Sequence, residues 1–379
     1  PDLAEHFTGT SRKWFTFTNG QHIDSLDPQT FNRWCDFLQL YVAQQLPATG
    51  CVLTRAAGPL IYHTAMGVDG VNLPPDPVQQ QPTYSGALAA FENLAPIRVL
   101  FDSGAGSGTA GQPYPGFEDS FSRFPVPGTF GRSWYMGPNG TLSDSRTGRG
   151  ANRFTWNPRA LPMKDFNGGT GLGSGGLWTA LPKYQWNPNP SGTSVSYMTA
   201  PLSSNTVVIG AGYARVWVRS SSPNVDLQAT VSEVRPDGNE TFVQNGWVRA
   251  DERKLDARKS RPLEPVLSLR AKDVQPLPRG RFTQVTVPLY YEGHAYRAGS
   301  RIKVTISAPN GNAPVWAFSD TSPKGRATVA IGFSKMMPSR LTLPVAPGVR
   351  VPTGLPPCPS LRGEPCRPFT PFANLNAKP

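Results

Sequence analysis

The chain has 379 residues, more than one compact domain usually contains, and its 38 glycines and 41 prolines favour short strands joined by turns over long helices. The net charge of +12 would suit a nucleic-acid surface only if the lysines and arginines were gathered on one face, and they are spread along the chain. These features exclude an all-helical protein and argue against a nucleic-acid partner.

The first predicted elements are a strand and a helix joined by a tight turn. Residues 14–18 favour a strand, Asn19-Gly20 is a turn dipeptide, and Asp27-Pro28 supplies an N-cap followed by a proline at the first helical position. Apolar side chains then recur at three- and four-residue spacing: Phe31, Trp34, Cys35, Leu38, Tyr41 and Val42. This spacing predicts a helix over residues 28–46 that packs one face against a large neighbour and ends at Pro47.

The next segment, residues 48–95, is predicted to be mostly linker with a short helix near residues 85–93. A strand over residues 97–101 and a glycine-rich turn follow. Beyond this point the sequence predicts almost only β-structure.

The β-rich region shows apolar and polar residues in alternation, as in residues 225–231 and 301–306. This pattern predicts half-buried antiparallel strands. Turn signals separate the strands at Asn139-Gly140, Pro236-Asp237-Gly238 and Asn310-Gly311. The fold class is therefore predicted to be mainly β, with a sandwich of jelly-roll type and a surface excursion over residues 250–281.

The C-terminal segment, residues 346–379, is rich in proline and is expected to wrap the surface. In the last 59 residues, 8 lysines and arginines accompany a single acidic residue, Glu364. Two interpretations stay open: a solvated tail, or a contact with a polyanion or cell surface.

Two of the four cysteines, Cys358 and Cys366, bracket a short loop with no further cysteine or histidine beside it. A metal knuckle would need such ligands, so we predict a disulfide, which implies an oxidising compartment. Cys35 and Cys51 are candidates for a second bridge.

No run of about 18 apolar residues is present, so we expect no membrane span. The sequence enters a strand pattern soon after Pro1 and shows no signal peptide. We therefore expect Pro1 to be a truncation or processing point, with any export signal upstream.

The catalytic candidate is His22, which follows a predicted strand and precedes the capped helix. The catalytic histidine of an α/β-hydrolase occupies such a loop, from which its imidazole can reach the nucleophile. A solvated loop histidine is the competing interpretation. His6, His63 and His294 lack this setting and are expected to be structural or surface residues.

Other site chemistries find little support. No serine lies in a Gly-x-Ser-x-Gly elbow, and the glycine-rich strings at residues 104–108 and 171–175 lack the following helix that a phosphate loop needs. No histidine and carboxylate spacing suits a metal, so we expect neither metal nor cofactor. Trp178, Tyr184 and Trp186 either form an aromatic platform for sugar or polymer rings or pack inside the protein.

Several strings, in order along nearly the whole chain, resemble actinobacterial hydrolases of the CocE/NonD family, which includes cocaine esterase and X-Pro dipeptidyl-peptidases. They are Asn19-Gly20-Gln21-His22-Ile23-Asp24-Ser25-Leu26-Asp27-Pro28, Phe31-Asn32-Arg33-Trp34, Arg98-Val99-Leu100-Phe101-Asp102, Tyr197-Met198-Thr199-Ala200-Pro201-Leu202, Val234-Arg235-Pro236-Asp237-Gly238 and Tyr296-Arg297-Ala298-Gly299-Ser300-Arg301. The resemblance implies that residues 1–95 are the last strand and helix of an α/β-hydrolase domain and that residues 96–345 are the jelly-roll domain.

The resemblance further implies a Ser-Asp-His hydrolase that cleaves ester or amide bonds through an acyl-enzyme. His22 matches the triad histidine, while the nucleophile and the acid are expected upstream of Pro1. Asp24 is then expected to be a turn residue or a residue that supports the site indirectly, so that Asp24→Asn lowers kcat far less than His22→Ala. The implied partners are the N-terminal part of the same hydrolase and a small ester or peptide substrate, and the implied location is secreted or on the bacterial cell surface. Oligomeric state stays open, and the chain alone is expected to be inactive.

The alternative to a hydrolase is a non-catalytic β-sandwich that binds a polymer, a glycan or a protein. An intact N-terminal companion polypeptide would favour the enzyme.

Overall fold

The computed structural model describes residues 3–157, 186–309 and 326–378. The chain forms two compact units: the first contains the described residues up to Pro127 together with Val349–Pro365, and the second contains the described residues from Gly128 to Gly348 and from Cys366 onwards. The boundary between the units thus lies at residues 127 and 128, whereas the sequence placed a domain boundary at residues 95 and 96. The segment 346–379 is divided between the two units.

The first unit combines a small sheet with several helices. Its helices are α1 (Leu3–His6), α2 (Pro28–Phe37), α3 (Pro47–Gly50), α4 (Val52–Met66) and α5 (Tyr84–Glu92), with a 3-10 helix at His22–Leu26 and a π-helical stretch at Leu38–Ala43. Its strands are β1 (Phe15–Thr18), β2 (Ile97–Phe101) and β3 (Phe117–Phe121). β1 pairs with β2 in parallel, and β3 pairs with β2 antiparallel.

The predicted long helix ends earlier than expected. Helical backbone continues from α2 through the π-helical stretch, and Gln44 then adopts a left-handed conformation with a φ of 51°. Pro47 does not terminate this helix but begins α3, where a proline at the first position loses no hydrogen bond.

The prediction of a linker over residues 48–95 was wrong, because the 15-residue helix α4 lies within its first half. The pair Gly58-Pro59 inside α4 hides the helical signal, since both residues disfavour a helix interior. Gly58 lies against the Leu73 side chain, and Tyr62 and Met66 of the same helix pack in a cluster with Leu73. Tertiary contact therefore outweighs local propensity in α4.

The second unit is built from strands. They are β4 (Phe130–Met136), β5 (Leu142–Ser143), β6 (Gly150–Trp156), β7 (Ser194–Met198), β8 (Thr206–Gly210), β9 (Tyr213–Ser220), β10 (Asp226–Val234), β11 (Asn239–Arg249), β12 (Thr283–Pro288), β13 (Glu292–Tyr296), β14 (Arg301–Ser307), β15 (Ala327–Phe333), β16 (Arg340–Val345), β17 (Cys366–Pro368) and β18 (Leu375–Ala377). One sheet has the order β17-β11-β10-β14-β7, and the larger one follows β13-β8-β16-β9-β15-β6-β18, with β12 on β9, β4 on β16 and β5 on β4. Side chains of both sheets, among them Phe154, Val216, Leu227 and Val304, form one core. The prediction of a mainly β sandwich is confirmed.

The strand β10 differs from the half-buried strand that the sequence predicts. All nine of its residues are buried, including the polar side chains of Gln228 and Ser232. The Ser232 hydroxyl donates to Glu240 Oε1 at 2.7 Å, and Lys303 Nζ lies 2.9 Å from the same oxygen. Buried polar groups are tolerated where they are hydrogen-bonded. The alternation of apolar and polar residues in β10 therefore distinguishes an apolar buried face of the strand from a polar buried face.

The predicted turns are confirmed where the structure describes them. Asn139-Gly140 connects the paired strands β4 and β5 with both residues at positive φ, and Pro236-Asp237-Gly238 connects β10 and β11. Asn310-Gly311 lies outside the described residues. The segment 250–281 contains two short 3-10 helices and two isolated bridges and is otherwise irregular.

The prediction of a solvated C-terminal tail was wrong for its charged centre. Arg362 is 0% exposed and Glu364 is 1% exposed. Further along, β17 pairs with β11 in one sheet of the second unit, and β18 pairs with β6 in the other. Within the described part of the chain, no helix is long and apolar enough to cross a membrane.

Candidate active site

His22 lies where the parallel strands β1 and β2 end. β1 is followed by Asn19-Gly20-Gln21 and then by His22, the first residue of the 3-10 helix; β2 is followed by Asp102 and Ser103. Loops after the carboxyl ends of parallel strands are the usual location of functional groups in α/β sheets. The His22 side chain is exposed, so it can meet another group from solvent.

The residues after His22 anchor the 3-10 helix in the first unit. Ile23 is 4% exposed and packs in a cluster with Phe31 and Tyr62. The Tyr62 hydroxyl, on α4, donates to the backbone oxygen of Leu26 at 2.7 Å. An exposed imidazole is thus carried on a short, well-anchored helix.

Asn19 links the His22 loop to two other segments. Its Oδ1 accepts the backbone N–H of Ser103 at 3.0 Å, and its Nδ2 donates to Glu364 Oε2 at 3.2 Å. Asp102, just before Ser103, is buried and has a φ of 53°, a left-handed conformation that aspartate tolerates better than most residues. The sequence identified Asn19 only as a turn residue.

Asp24 has a structural position that the sequence did not predict. Its side chain is fully buried; the carboxylate accepts the backbone N–H of Gln21 and, through Oδ1, the Nε–H of Arg362 at 2.6 Å. Gly20 leaves the space for this carboxylate, because a Cβ at that position would collide with it. Asp24 therefore belongs to a buried ion pair beside the His22 loop, and the small effect expected of Asp24→Asn on kcat stays a prediction.

Two opposing effects act on the Asp24 carboxyl. Burial raises its pKa, because a charge is less stable away from water, while the positive charge of Arg362 and the hydrogen bonds from Gln21 and Arg362 lower it. The raising effect of burial is the larger one. The positive charge of Arg362 therefore offsets part of the cost of burying the Asp24 carboxylate.

Asp27 is a second buried carboxyl close to the His22 helix. It is the N-cap of α2, and burial raises its pKa to about 7, against the lowering effect of its hydrogen bonds from Thr30. The expected capping function of Asp27 is confirmed.

Both predicted disulfides are present. Cys35 on α2 bonds to Cys51, the residue that precedes α4, and Cys358 and Cys366 are also disulfide-bonded. The bridge from Cys35 to Cys51 connects α2, which follows the His22 helix, with α4, which holds that helix through Tyr62.

The other histidines have ordinary partners or settings. His63 is exposed and lies 2.7 Å from Asp69 Oδ1, whereas His294 is buried in the second unit with Nε2 3.1 Å from Glu233 Oε2. His6 is exposed at the end of α1. The prediction that they are structural or surface residues agrees with these positions.

The glycine-rich string at residues 104–108 forms a turn between β2 and β3, with no helix after it; the string at residues 171–175 lies outside the described residues. Across residues 3–157, 186–309 and 326–378, no group of three or more histidine, cysteine, aspartate or glutamate side chains is arranged to hold a metal.

Trp186 is packed inside the second unit. It is 9% exposed, lies edge-on to Phe242, and carries the Arg367 guanidinium 3.9 Å above its ring. Trp186 therefore does not offer an open face to a sugar. Trp178 and Tyr184 lie outside the described residues.

Comparison with known proteins agrees with this architecture. The sequence profile of one family, described as the X-Pro dipeptidyl-peptidase C-terminal non-catalytic domain, matches residues 89–326. Two mycobacterial proteins, "Putative serine esterase Mb1866c" of Mycobacterium bovis and "Putative serine esterase MT1883" of Mycobacterium tuberculosis, are each 26% identical over 153 residues. That match covers 40% of this chain and 24% of each relative.

Solved structures show the same fold. A CocE/NonD family hydrolase from Staphylococcus aureus superposes with a TM-score of 0.56 at 16% identity, covering 89% of this chain and 50% of that protein. An aminopeptidase from the marine sediment archaeon Thaumarchaeota archaeon gives 0.50 at 13% identity, over 82% of this chain and 44% of that protein. The chain therefore spans at most half the length of these relatives, and the predicted resemblance to CocE/NonD hydrolases is confirmed.

Proposed function

The chain belongs to the family of X-Pro dipeptidyl-peptidase C-terminal non-catalytic domains, and from this premise we propose that it is the C-terminal part of a serine hydrolase that cleaves ester or amide bonds. In this proposal His22 is the general base. The nucleophilic serine and the triad acid come from the part of the same protein that precedes this chain.

The observation that carries the proposal is the setting of His22. Its imidazole is exposed at the carboxyl ends of two parallel strands, while the residues on both sides of it in the loop are fixed by buried contacts. A triad histidine needs both properties, because it must reach the nucleophile and hold its orientation through the reaction.

The chemistry assigned to His22 is two proton transfers in each half-reaction. The imidazole takes the hydroxyl proton as the serine oxygen bonds to the substrate carbonyl carbon, and the carbonyl electron pair becomes the oxyanion. As the oxyanion collapses, the proton passes to the departing alcohol or amine, which leaves the acyl-enzyme. Water then replaces the serine by the same two steps, releasing the acid and restoring the hydroxyl.

The nucleophile is assigned upstream because of two facts. The chain contains no Gly-x-Ser-x-Gly sequence, and the order of triad residues in this fold is nucleophile, acid, histidine. The staphylococcal hydrolase that shares the fold is about twice as long as the region matched here, which leaves room for a catalytic half before it.

The disulfides support a location outside the cytoplasm. All four cysteines are paired, and structural disulfides are rare where glutathione and thioredoxin keep thiols reduced. We place the complete hydrolase in a secreted or cell-surface compartment.

A polymer-binding module is the weaker candidate. Trp186 is covered by Arg367 and so is not available as a stacking platform.

The deciding experiment labels the complete protein and this chain with a fluorophosphonate probe and assays both on p-nitrophenyl esters and X-Pro anilides. We expect labelling of an upstream serine and turnover in the complete protein, with neither in the chain alone. Labelling of a serine within residues 1–379, with turnover, would place the nucleophile in this chain. A complete protein that is folded but takes no label would show that it is not a serine hydrolase.

A further inference from the structure

Arg362 lies fully buried in the first unit, in a segment whose sequence indicates either a solvated tail or a contact with a polyanion or cell surface. It is the middle residue of the loop closed by Cys358 and Cys366, which are disulfide-bonded. A buried arginine is rare unless its donors are satisfied, because removing the charge from water is costly. Its hydrogen bonds therefore indicate what its position accomplishes.

The hydrogen bonds of Arg362 connect the His22 loop with the loop after β2. Its Nε donates to Asp24 Oδ1 at 2.6 Å, and its backbone oxygen accepts from the Gln21 side chain. Its backbone N–H donates to the oxygen of Ser103 at 2.8 Å, and Nη1 donates to the oxygen of Gly111 at 3.1 Å. Gln21 and Asp24 flank His22 in sequence, so both sides of the catalytic candidate are held by one residue.

The neighbours of Arg362 complete the same contact. Glu364 accepts a hydrogen bond from Asn19, and Gly363 packs so closely that a Cβ would collide with the backbone oxygens of Asn19 and Gly20. The segment from Arg362 to Glu364 therefore contacts the loop at Asn19, Gly20, Gln21 and Asp24.

Stability alone does not account for this arrangement. A buried ion pair often contributes no more to folding than apolar residues of similar size, because desolvation offsets the attraction. What the planar guanidinium adds is direction, since its Nε and Nη1 donors meet the oxygens of Asp24 and Gly111 in one fixed geometry.

We propose that Arg362 is a positioning residue that holds the His22 loop in the geometry needed for catalysis. The inference rests on the proposed role of His22 as general base. Arg362 acts through Asp24 and Gln21 and does not touch the substrate. Displacing a reacting group by about 1 Å can lower a rate by about 10²-fold, so the expected effect is on kcat.

The test uses the complete protein and the double variant Asp24→Asn with Arg362→Gln, which removes both charges and leaves neither one buried alone. Arg362→Lys is the second variant, because it keeps the charge but loses the planar set of donors. Arg235→Met is the matched control: Arg235 is also buried and pairs with Asp237, but it lies in the second unit.

Two readouts separate positioning from folding. The ring signals of isotopically labelled His22 are followed by NMR, and kcat and KM are measured on an activated ester. In the folded double variant and the folded Arg362→Lys variant we expect broadened or multiple His22 signals. We expect kcat to fall by about 10²-fold or more. KM should stay within about two-fold of wild type, because Arg362 does not touch the substrate. The Arg235→Met control should leave the His22 signals unchanged.

Wild-type His22 signals and kcat in either folded variant would overturn the proposal. The NMR readout does not depend on catalysis, so it distinguishes the two hypotheses. If His22→Ala retains activity, the proposed function fails; altered His22 signals in the Arg362 variants would then still establish the positioning contact, and unaltered signals would refute it.

Discussion

Asp27 Oδ1 accepts the backbone N–H of Thr30 at 2.8 Å, and Oδ2 accepts the hydroxyl proton of the same residue at 2.9 Å. This double contact caps α2 directly after the helix that carries His22. Because the capping carboxyl is buried, its pKa is raised to about 7, and the cap has a consequence for the pH dependence of folding.

A raised pKa means that the folded chain binds a proton at Asp27 that the unfolded chain releases between about pH 4 and pH 7. The contribution of Asp27 to the free energy of unfolding is therefore present at low pH and lost as pH rises through about 7. Asp27→Asn keeps a good cap and does not titrate. The free energy of unfolding of this variant minus that of wild type should therefore be larger at pH 8 than at pH 5. Urea unfolding at the two pH values measures this, with the exposed Asp144→Asn as control. Parallel pH dependence of wild type and Asp27→Asn would contradict the assignment.

His22→Ala in the complete protein should lower kcat by about 10³-fold or more, because the serine hydroxyl loses its proton acceptor. The thermal midpoint should hardly change, since the imidazole is exposed. His63→Ala is the matched control, because His63 is also an exposed histidine of the first unit. Its imidazole lies beside the Asp69 carboxylate. A kcat for His22→Ala equal to that of His63→Ala would leave His22 as a surface histidine.

Asp24→Asn alone should destabilise the protein by about 3–5 kcal/mol, because it leaves the Arg362 cation buried without its counterion. Asp144→Asn breaks the ion pair with Arg132, which is exposed on both sides, and should cost about 1 kcal/mol or less. Denaturant unfolding of the two variants measures the difference. Equal losses would show that burial of the Asp24 pair has no energetic consequence.

Alkylation without reductant followed by peptide mass mapping should recover Cys35 linked to Cys51 and Cys358 linked to Cys366. Replacing Cys35 and Cys51 together by serine should lower the free energy of unfolding by about 3 kcal/mol, from the entropy of a loop of this length. Alkylated free thiols at either pair in the untreated protein would disprove that bridge.

The sequence predicted those features whose signals are local. The strand β14, the turn at Asn139-Gly140 and the cap at Asp27 each depend on residues a few positions apart, and all three are present, although β14, like β10, is buried on both faces instead of half-buried. The placement of His22 after a strand and before a capped helix also rests on neighbouring residues.

Features set by distant contacts could not be predicted. Helix α4 contains Gly58-Pro59, and the packing of Gly58 against Leu73 is invisible in the local pattern. Arg362 stands in a proline-rich stretch with little acidic charge, where a charged side chain normally faces water. Its partner Asp24 looks like a turn residue, and nothing in either segment indicates the other.

The pairing of Asp24 with Arg362 also orders events during synthesis, because the two residues lie 338 positions apart in the chain. Chains emerge from the ribosome N-terminus first, so every strand from β4 to β16 is made before Arg362 is available. If Arg362 positions the His22 loop as proposed, the loop reaches its final geometry only after that residue has been released. Under the proposed function, a nascent chain that still lacks Arg362 would hold its general base in a less defined position, and full hydrolytic activity would require Arg362 to have been synthesised.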